Sequence, residues 1–442
     1  MTNPIEKKFR NMDQKERLEF IKNKTKLNDK EIALFNNTSI FNFDEINDMV
    51  ENAIGVFQLP LGIANNFVVN GKEYLIPMAI EEPSVIAASS NAAKIAKKTG
   101  GFKAKADKSI MTGQIQLVSF GSSSSTNTDR LIKTIMENKP KLIKIANAKS
   151  KFARCIDIQA RQINDESANN LGPMIIIEIH VDTKDAMGAN IVNTMCEVTA
   201  PEIEALTDGQ VILKILSNYS TNRLVRCKGI FPKESIGGGR VLKRILFSYA
   251  FAYSDTHRAV THNKGIMNGI DSVAIATGQD FRAIEAGCHA YACRDGQYRS
   301  LTKWYENSNG DLVGEIEIPL AVGIVGGITN THPLVKACIK MLDISSSQEL
   351  AMIIAAVGLA QNFSAIRALS DEGIQKGHMK LHSKNIVKMA GGWRGGGGGP
   401  SNEQIEEVSQ QMINEGNISV SRAKEIIESM NKTNKQHDNY HI

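Results

Sequence analysis

Residues 112–218 constrain the fold more than any other stretch of the chain. At their centre Met174–Asp182 alternates, with Ile175, Ile177, Ile179 and Val181 falling on one face. A period of two is what a strand with one buried face requires. Gln114–Phe120, Phe152–Gln159 and Gln210–Ser217 also read as strands. Between them Thr128–Ser150 and Asn190–Leu206 read as helices, with Pro140 expected to break or kink the first and Pro201 to interrupt or bend the second. The order β-α-β-β-α-β is the ferredoxin-like split unit, and it predicts a compact inserted domain over 112–217.

The segments on either side, 1–111 and 218–376, would then form one larger, mostly helical domain split by the insertion. Asp13 and Asn28 are placed to cap short helices. Asn70-Gly71, between Phe67–Val69 and Lys72–Ile76, is a hairpin signal because both residues tolerate positive φ. Val241–Tyr253, the segment after Asp280, and Ser347–Leu369 read as helices. Residues 377–442 open at Gly377-His378 and pass through a run of five glycines at 395–399. They close with amphipathic stretches near 402–415 and 418–432, and no structure is expected in the last ten residues. Glycine runs pack nothing and hold high backbone entropy, so this segment is expected to act as a hinged flap. The fold class expected is α+β.

Charge narrows the function. Across 442 residues the 52 basic and 47 acidic side chains leave a net charge of only +5, scattered rather than banked. A nucleic-acid binder shows a concentrated basic footprint, so none is expected. The first ten residues lack an apolar core of signal-peptide type, and the apolar stretches near 318–328 and 351–360 are shorter than the ~20 residues that span a bilayer. A cytoplasmic chain without membrane attachment is the expectation. The six cysteines then read as reduced thiols, and Cys288-His289 with Cys293 lacks the second ligand pair of a zinc site, so no metal is expected.

Several short stretches carry polar groups in places where chemistry can be done. Glu82 precedes Pro83-Ser84 and the helical run Val85–Lys98; alone it reads as a carboxylate favoured by a helix dipole, or as a buried proton donor. Thr261–Asp271 has two glycines around a polar cluster and reads as a loop; Lys264 within it is either solvated or an oxyanion anchor. Asp280 follows a glycine turn and reads as an N-cap, the alternative being a carboxylate lying between Glu82 and Lys264. Asp185 and Met187-Gly188-Ala-Asn190 join a strand to a helix, a natural phosphate cradle although not the dinucleotide fingerprint. Gly323–Thr329 is a second glycine turn of the same ambiguity. His378 stands at the root of the flap, where closure would deliver a proton.

Together Glu51–Gly55, Met78–Ala88, Asp185–Thr194, Arg258–Asp271, Ala276–Asp280, Ala356–Arg367 and Gly373–His378, in that order, resemble the class II (bacterial-type) 3-hydroxy-3-methylglutaryl-CoA reductases. The resemblance runs from about Phe9 to about Gly391. It implies a four-electron reduction of hydroxymethylglutaryl-CoA to mevalonate and coenzyme A, through a hemithioacetal and mevaldehyde, with a ferredoxin-like unit holding NAD(P)H. Glu82, Lys264, Asp280 and His378 would be catalytic. Lys264 would stabilise the oxyanion, His378 would protonate the thiolate, Glu82 would donate a proton to mevaldehyde, and Asp280 would tune its neighbours.

The resemblance assigns Asp185, Met187, Gly188 and Asn190 to the dinucleotide. It assigns Ser84, Asn218, Arg258, Asn268, Gln361 and Asn362 to the acyl and pantetheine groups, and Arg10 to the coenzyme A phosphates. It also implies a homodimer or higher homo-oligomer with the active site at the subunit interface. NADH-preferring members carry an acid where this chain has Ser150, flanked by Lys149 and Lys151. Loss of that acid removes repulsion of a 2′-phosphate, so NADPH is expected, with NADH the alternative. Rival readings are the same fold running as a mevalonate oxidase, and a non-catalytic acyl-CoA or dinucleotide sensor.

Overall fold

A computed structural model describes residues 9, 12–35, 40–118, 125–371, 383–391 and 400–438. The N-terminal part forms three short helices, α1 (Gln14–Lys24), α2 (Asp29–Leu34) and α3 (Phe43–Met49). Asp13, Asn28 and Asn42 cap them, each with a reciprocal bond from a glutamate three residues on. Strands β1 (Leu61–Val69) and β2 (Lys72–Ala79) pair through the turn at Asn70 and Gly71, both at positive φ. Helix α4 (Val85–Ala96) starts after Pro83 and stops where Gly100 turns left-handed, leading into β3 (Phe102–Ala106).

The next segment contains β4 (Ile110–Val118), α5 (Ser125–Glu137), α6 (Lys139–Asn147), β5 (Arg154–Asn164), β6 (Pro173–Asp182), α7 (Ala189–Thr207) and β7 (Gln210–Leu216). Its sheet has the order β5-β6-β4-β7, antiparallel throughout, as a ferredoxin-like unit requires. Ile175, Ile177, Ile179 and Val181 are fully buried against Val192, Met195 and Cys196 of α7. Pro140 sits in the first turn of α6, so the helical stretch is broken just before it. Helix α7 runs on through Pro201, so of the two expected outcomes, interruption or a bend, interruption does not occur. Thr199, Ala200 and Ile203 bury the helix on either side of the proline, and that packing outweighs a proline cost of about 3 kcal/mol.

After this unit come β8 (Leu224–Phe231), α8 (Lys233–Ile236), α9 (Gly238–Ser254), α10 (Thr256–Ala276), α11 (Phe281–Tyr291), β9 (Thr302–Glu306), β10 (Leu312–Pro319), α12 (Ile328–Thr331), α13 (Pro333–Leu342) and α14 (Ser347–Ser370). A six-stranded sheet, β2-β1-β3-β8-β10-β9, draws strands from both sides of the smaller unit. Helix α14 is its centrepiece, buried over most of its length. It is the one described helix long and apolar enough to cross a membrane, and it is the core of this fold instead.

The stretch 261–271, expected to be a loop, is the middle of α10. Glycine lowers helix propensity by ~1 kcal/mol, but here it allows close helix contact. A side chain at Gly269 would stand 2.9 Å from Gln361 Cβ, and one at Gly358 the same distance from Ile270. Burial of Ile266, Met267, Ile270 and Val273 at that contact decides in favour of helix.

The chain finishes with α15 (residues 383–390), α16 (Asn402–Glu415) and α17 (Val420–Asp438), which bury Val387, Val408, Met412 and Ile427 in a cluster of their own. The last helix reaches Asp438, longer than expected. The glycine run at 395–399 and Gly377-His378 lie outside the described residues.

Candidate functional site

Helix α10 presents Lys264 and Asn268 one turn apart on one face. Glu82, in the turn before α4, lies against both. Lys264 Nζ is 2.9 Å from Glu82 Oε2, and Asn268 Nδ2 donates to the same oxygen at 3.2 Å. The pair is half-exposed, open to a ligand. Ser84 follows with φ +78, a left-handed conformation that costs a non-glycine residue about 1–3 kcal/mol. Its Oγ is buried without a partner. A strained serine with an unsatisfied hydroxyl beside an ion pair marks a place built to receive polar atoms.

Gln361, on α14, is buried with Oε1 unpartnered, and its Cβ is the atom packed against Gly269. Arg258 lies in the first turn of α10, half-buried, and burial draws its basicity down. The neighbouring Asn362 does not join this group. Its amide is spent in the core on His262, Thr302 and Trp304 at 2.9–3.1 Å, which corrects the expectation that it faces a ligand. His262 is buried and held neutral, its value pushed down to about 3 by burial first and by Arg258 second. Asn218 is exposed after β7. Arg10 lies outside the described residues.

A second group forms at the start of α7. Gly188 precedes the helix with φ +102, and no side chain caps its first N–H groups. A Cβ there would fall 2.3 Å from Thr183 Cγ2. The second glycine turn packs on the first. Ala186 bridges Val325, Ile324 N donates to Asp185 O at 2.8 Å, and a Cβ at Gly323 would stand 2.4 Å from Met187 N. Free helix N–H groups behind backbone this bare are a phosphate cradle, so the residues present fit a dinucleotide. Asn190 is exposed in the first turn. Asp185 is used differently: its Oδ1 accepts from Ser347 N at 2.8 Å and so caps the core helix α14.

Sequence reasoning missed Arg223, which holds this cradle together. It is buried, and its guanidinium donates to Thr183 Oγ1, to the Ala186 and Met187 carbonyls at 3.3 Å, and to Val322 O. Burial pulls it down to about 10. Nothing local to Asn222-Arg223 signals this, because its partners come from two distant turns.

Asp280 caps α11 through a 3.1 Å bond from Ala283 N and sits 3.5 Å from Arg282. Among the described residues no bond joins it to Glu82 or Lys264, so the N-cap reading holds and the bridging alternative is not met within one chain. Its neighbour Gln279 accepts from Gly323 N at 2.8 Å, which ties Asp280 to the cradle instead. At the end of α6, Ser150 Oγ accepts from Phe152 N and Ala153 N, with Lys149 and Lys151 exposed beside it. Among the described residues no cluster of histidine, cysteine or acidic side chains could hold a metal.

Comparison with known proteins gives a consistent result. The hydroxymethylglutaryl-coenzyme A reductase family matches residues 13–383. A 3-hydroxy-3-methylglutaryl-coenzyme A reductase of Archaeoglobus fulgidus is 47% identical, covering 88% of this chain and 86% of its own. A probable reductase of Borreliella burgdorferi is 36% identical over 87% of each. Among solved structures, the class II reductase of Streptococcus pneumoniae bound to NADPH in open conformations superposes with a TM-score of 0.77 at 36% identity, covering 95% of this chain and 100% of that one.

Proposed function

Because the chain belongs to the hydroxymethylglutaryl-CoA reductase family, in its class II form, we propose that it reduces 3-hydroxy-3-methylglutaryl-CoA to mevalonate and coenzyme A with NADPH. The observation that carries this reading is the Lys264–Glu82–Asn268 cluster, open on one side and set in a turn with an unsatisfied serine.

NADPH, when bound, supplies hydride in each of two steps. The chain supplies position and charge. The Lys264 ammonium anchors the carbonyl oxygen of the thioester and stabilises the negative charge that develops there. Asn268 keeps Glu82 beside Lys264, so that one proton is held where the aldehyde oxygen needs it in the second step. Ser84 and Gln361 offer their unsatisfied oxygens to the acyl group, and Arg258 offers charge to its carboxylate. His378 protonates the departing thiolate, so that the thiolate cannot re-add. Gly188 and the first N–H groups of α7 take the pyrophosphate, with Arg223 fixing both turns from behind. Ser150, Lys149 and Lys151 leave room and charge for a 2′-phosphate.

The division 1–111 with 218–376, 112–217 and 377–442 is read as a substrate part, a cofactor part and a flap, supported by their separate cores. A homodimer is part of the same reading. The Glu82–Lys264 cluster and the Asp280–Gly188 group are two unconnected halves on one chain, and a second copy can join them. Phe247 and Phe251 on α9 and Val260 on α10, which leave apolar surface exposed, suit that contact.

The test compares wild type with Lys264→Ala in reductive turnover of hydroxymethylglutaryl-CoA, with NADPH and NADH in parallel. The variant should lose about a hundred- to a thousandfold in kcat, and NADPH should be the faster cofactor. Equal rates in variant and wild type would refute the assignment of Lys264.

A further inference from the structure

On the face of α10 that carries Lys264 and Asn268, the next turn places Asp271. Its Oδ1 is buried with no donor in reach. The side chain lies within hydrogen-bonding reach of the Glu285 carboxyl on α11. Two carboxylates in contact in a half-buried place repel each other unless they share a proton. Glu285 is held from its other side by His289, whose Nε2 is 2.6 Å away, and His289 Nδ1 contacts the Tyr298 hydroxyl at 2.7 Å. Among the described residues no hydrogen bond or ion pair links these side chains to the Glu82–Lys264 cluster or the cradle, and the reaction as described does not use them.

Their positions give them a purpose. Helix α10 carries Lys264, Asn268 and Arg258, and α11 is the helix that Asp280 caps. We propose that Asp271 is a positioning residue: it shares one proton with Glu285, His289 fixes Glu285, and the bridge holds α10 at a set distance and rotation from α11. This rests on the reading of Lys264 and Asp280 as working residues. The bridge keeps the oxyanion anchor of one half-site and the carboxylate of the other in a fixed relation, through a contact the ligands never reach.

The charges around Asp271 favour this assignment of the proton. Burial, then the bond to Glu285 and its charge, raise Asp271 far above the ordinary carboxylate range. The bond to His289 is the largest influence on Glu285 and holds it low. Behind Glu285 on α11 stands Cys288, buried and driven up by burial first. Helices α4, α9 and α14 and strand β2, also packed on α10, give Asp271 no ionic partner among the described residues. Because the proton is favoured in the folded chain, the bridge is complete below the ordinary Asp value of the unfolded chain. It weakens as pH rises through the raised value of the folded one.

The experiment measures thermal midpoint and kcat against pH, with hydroxymethylglutaryl-CoA and NADPH, for wild type, Asp271→Asn and Glu285→Gln. Wild type should lose both midpoint and kcat on the alkaline side. Asp271→Asn, which keeps the shape and cannot ionise, should abolish that loss. Glu285→Gln removes the charge that keeps the proton on Asp271, so its loss should begin at lower pH. Asp271→Ala should lower kcat by about ten- to a hundredfold through misplacement, with KM for NADPH unchanged. An alkaline loss identical in wild type, Asp271→Asn and Glu285→Gln would overturn the bridge. If wild type turned over no hydroxymethylglutaryl-CoA, the functional reading would fail while the thermal midpoints still decided the bridge.

Discussion

Glu82 Oε2 accepts from two donors that stand one helical turn apart, so its position is set by α10 as much as by its own turn. Glu82→Gln keeps an oxygen for both contacts but cannot pass a proton to the substrate. It should slow reduction of mevaldehyde by about a hundredfold or more, while binding of hydroxymethylglutaryl-CoA, measured by calorimetry, stays close to wild type. His378→Gln should act the other way, slowing thioester reduction far more than mevaldehyde reduction in single-turnover assays. Equal losses on both substrates would refute the thiolate role. At this scale the sequence singled out Glu82, Lys264 and Asn268, and the structure brings the three side chains together. The sequence could not tell that Asn362, beside Gln361 in the chain, turns into the core, because adjacent helical residues face directions about 100° apart. Nor could it reveal Arg223 or Asp271, whose partners lie far along the chain.

The elements explain why those residues meet. The polar stretch around Lys264 resembles a loop in composition, yet Gly265 and Gly269 belong to a helix pressed onto α14. Composition reports Gly269 but not the neighbour, Gln361, whose close approach makes it useful. Gly269→Ala would place a methyl group 2.9 Å from Gln361 Cβ. It should destabilise the chain by about 1–3 kcal/mol in chemical unfolding, despite the better helix propensity of alanine. A stabilising result would show that α10 and α14 are not packed this closely. The start of α7 gives a second case. Gly188→Ala must hold a methyl group at φ +102 against Thr183, a strain of about 1–3 kcal/mol. NADPH affinity, by fluorescence titration, should fall about ten- to a hundredfold, with hydroxymethylglutaryl-CoA affinity unaffected. The alternating strand β6 and its neighbours were legible because one buried face imposes period two on the sequence. Pro201 does not end α7, because tertiary packing can absorb a proline.

For the whole molecule, no hydrogen bond or ion pair among the described residues joins the Glu82–Lys264 pair to Asp280 or to the turn at Gly188, and the proposed reading has a second copy bring them together. The oxyanion anchor lies on α10, and the cradle with Asp280 lies where the inserted unit meets the larger sheet. Phe251→Asp should therefore convert a dimer in sedimentation equilibrium into a folded monomer without reductase activity. A monomeric variant with full turnover would mean that one chain completes its own site. The reading proposed for this scaffold is a single chemistry, reduction of a thioester through to an alcohol. The most direct test is the ratio of NADPH oxidised to coenzyme A released during turnover of hydroxymethylglutaryl-CoA. A ratio of about two is predicted, one hydride for the thioester and one for the aldehyde. A ratio near one, or coenzyme A released without NADPH oxidation, would contradict the account.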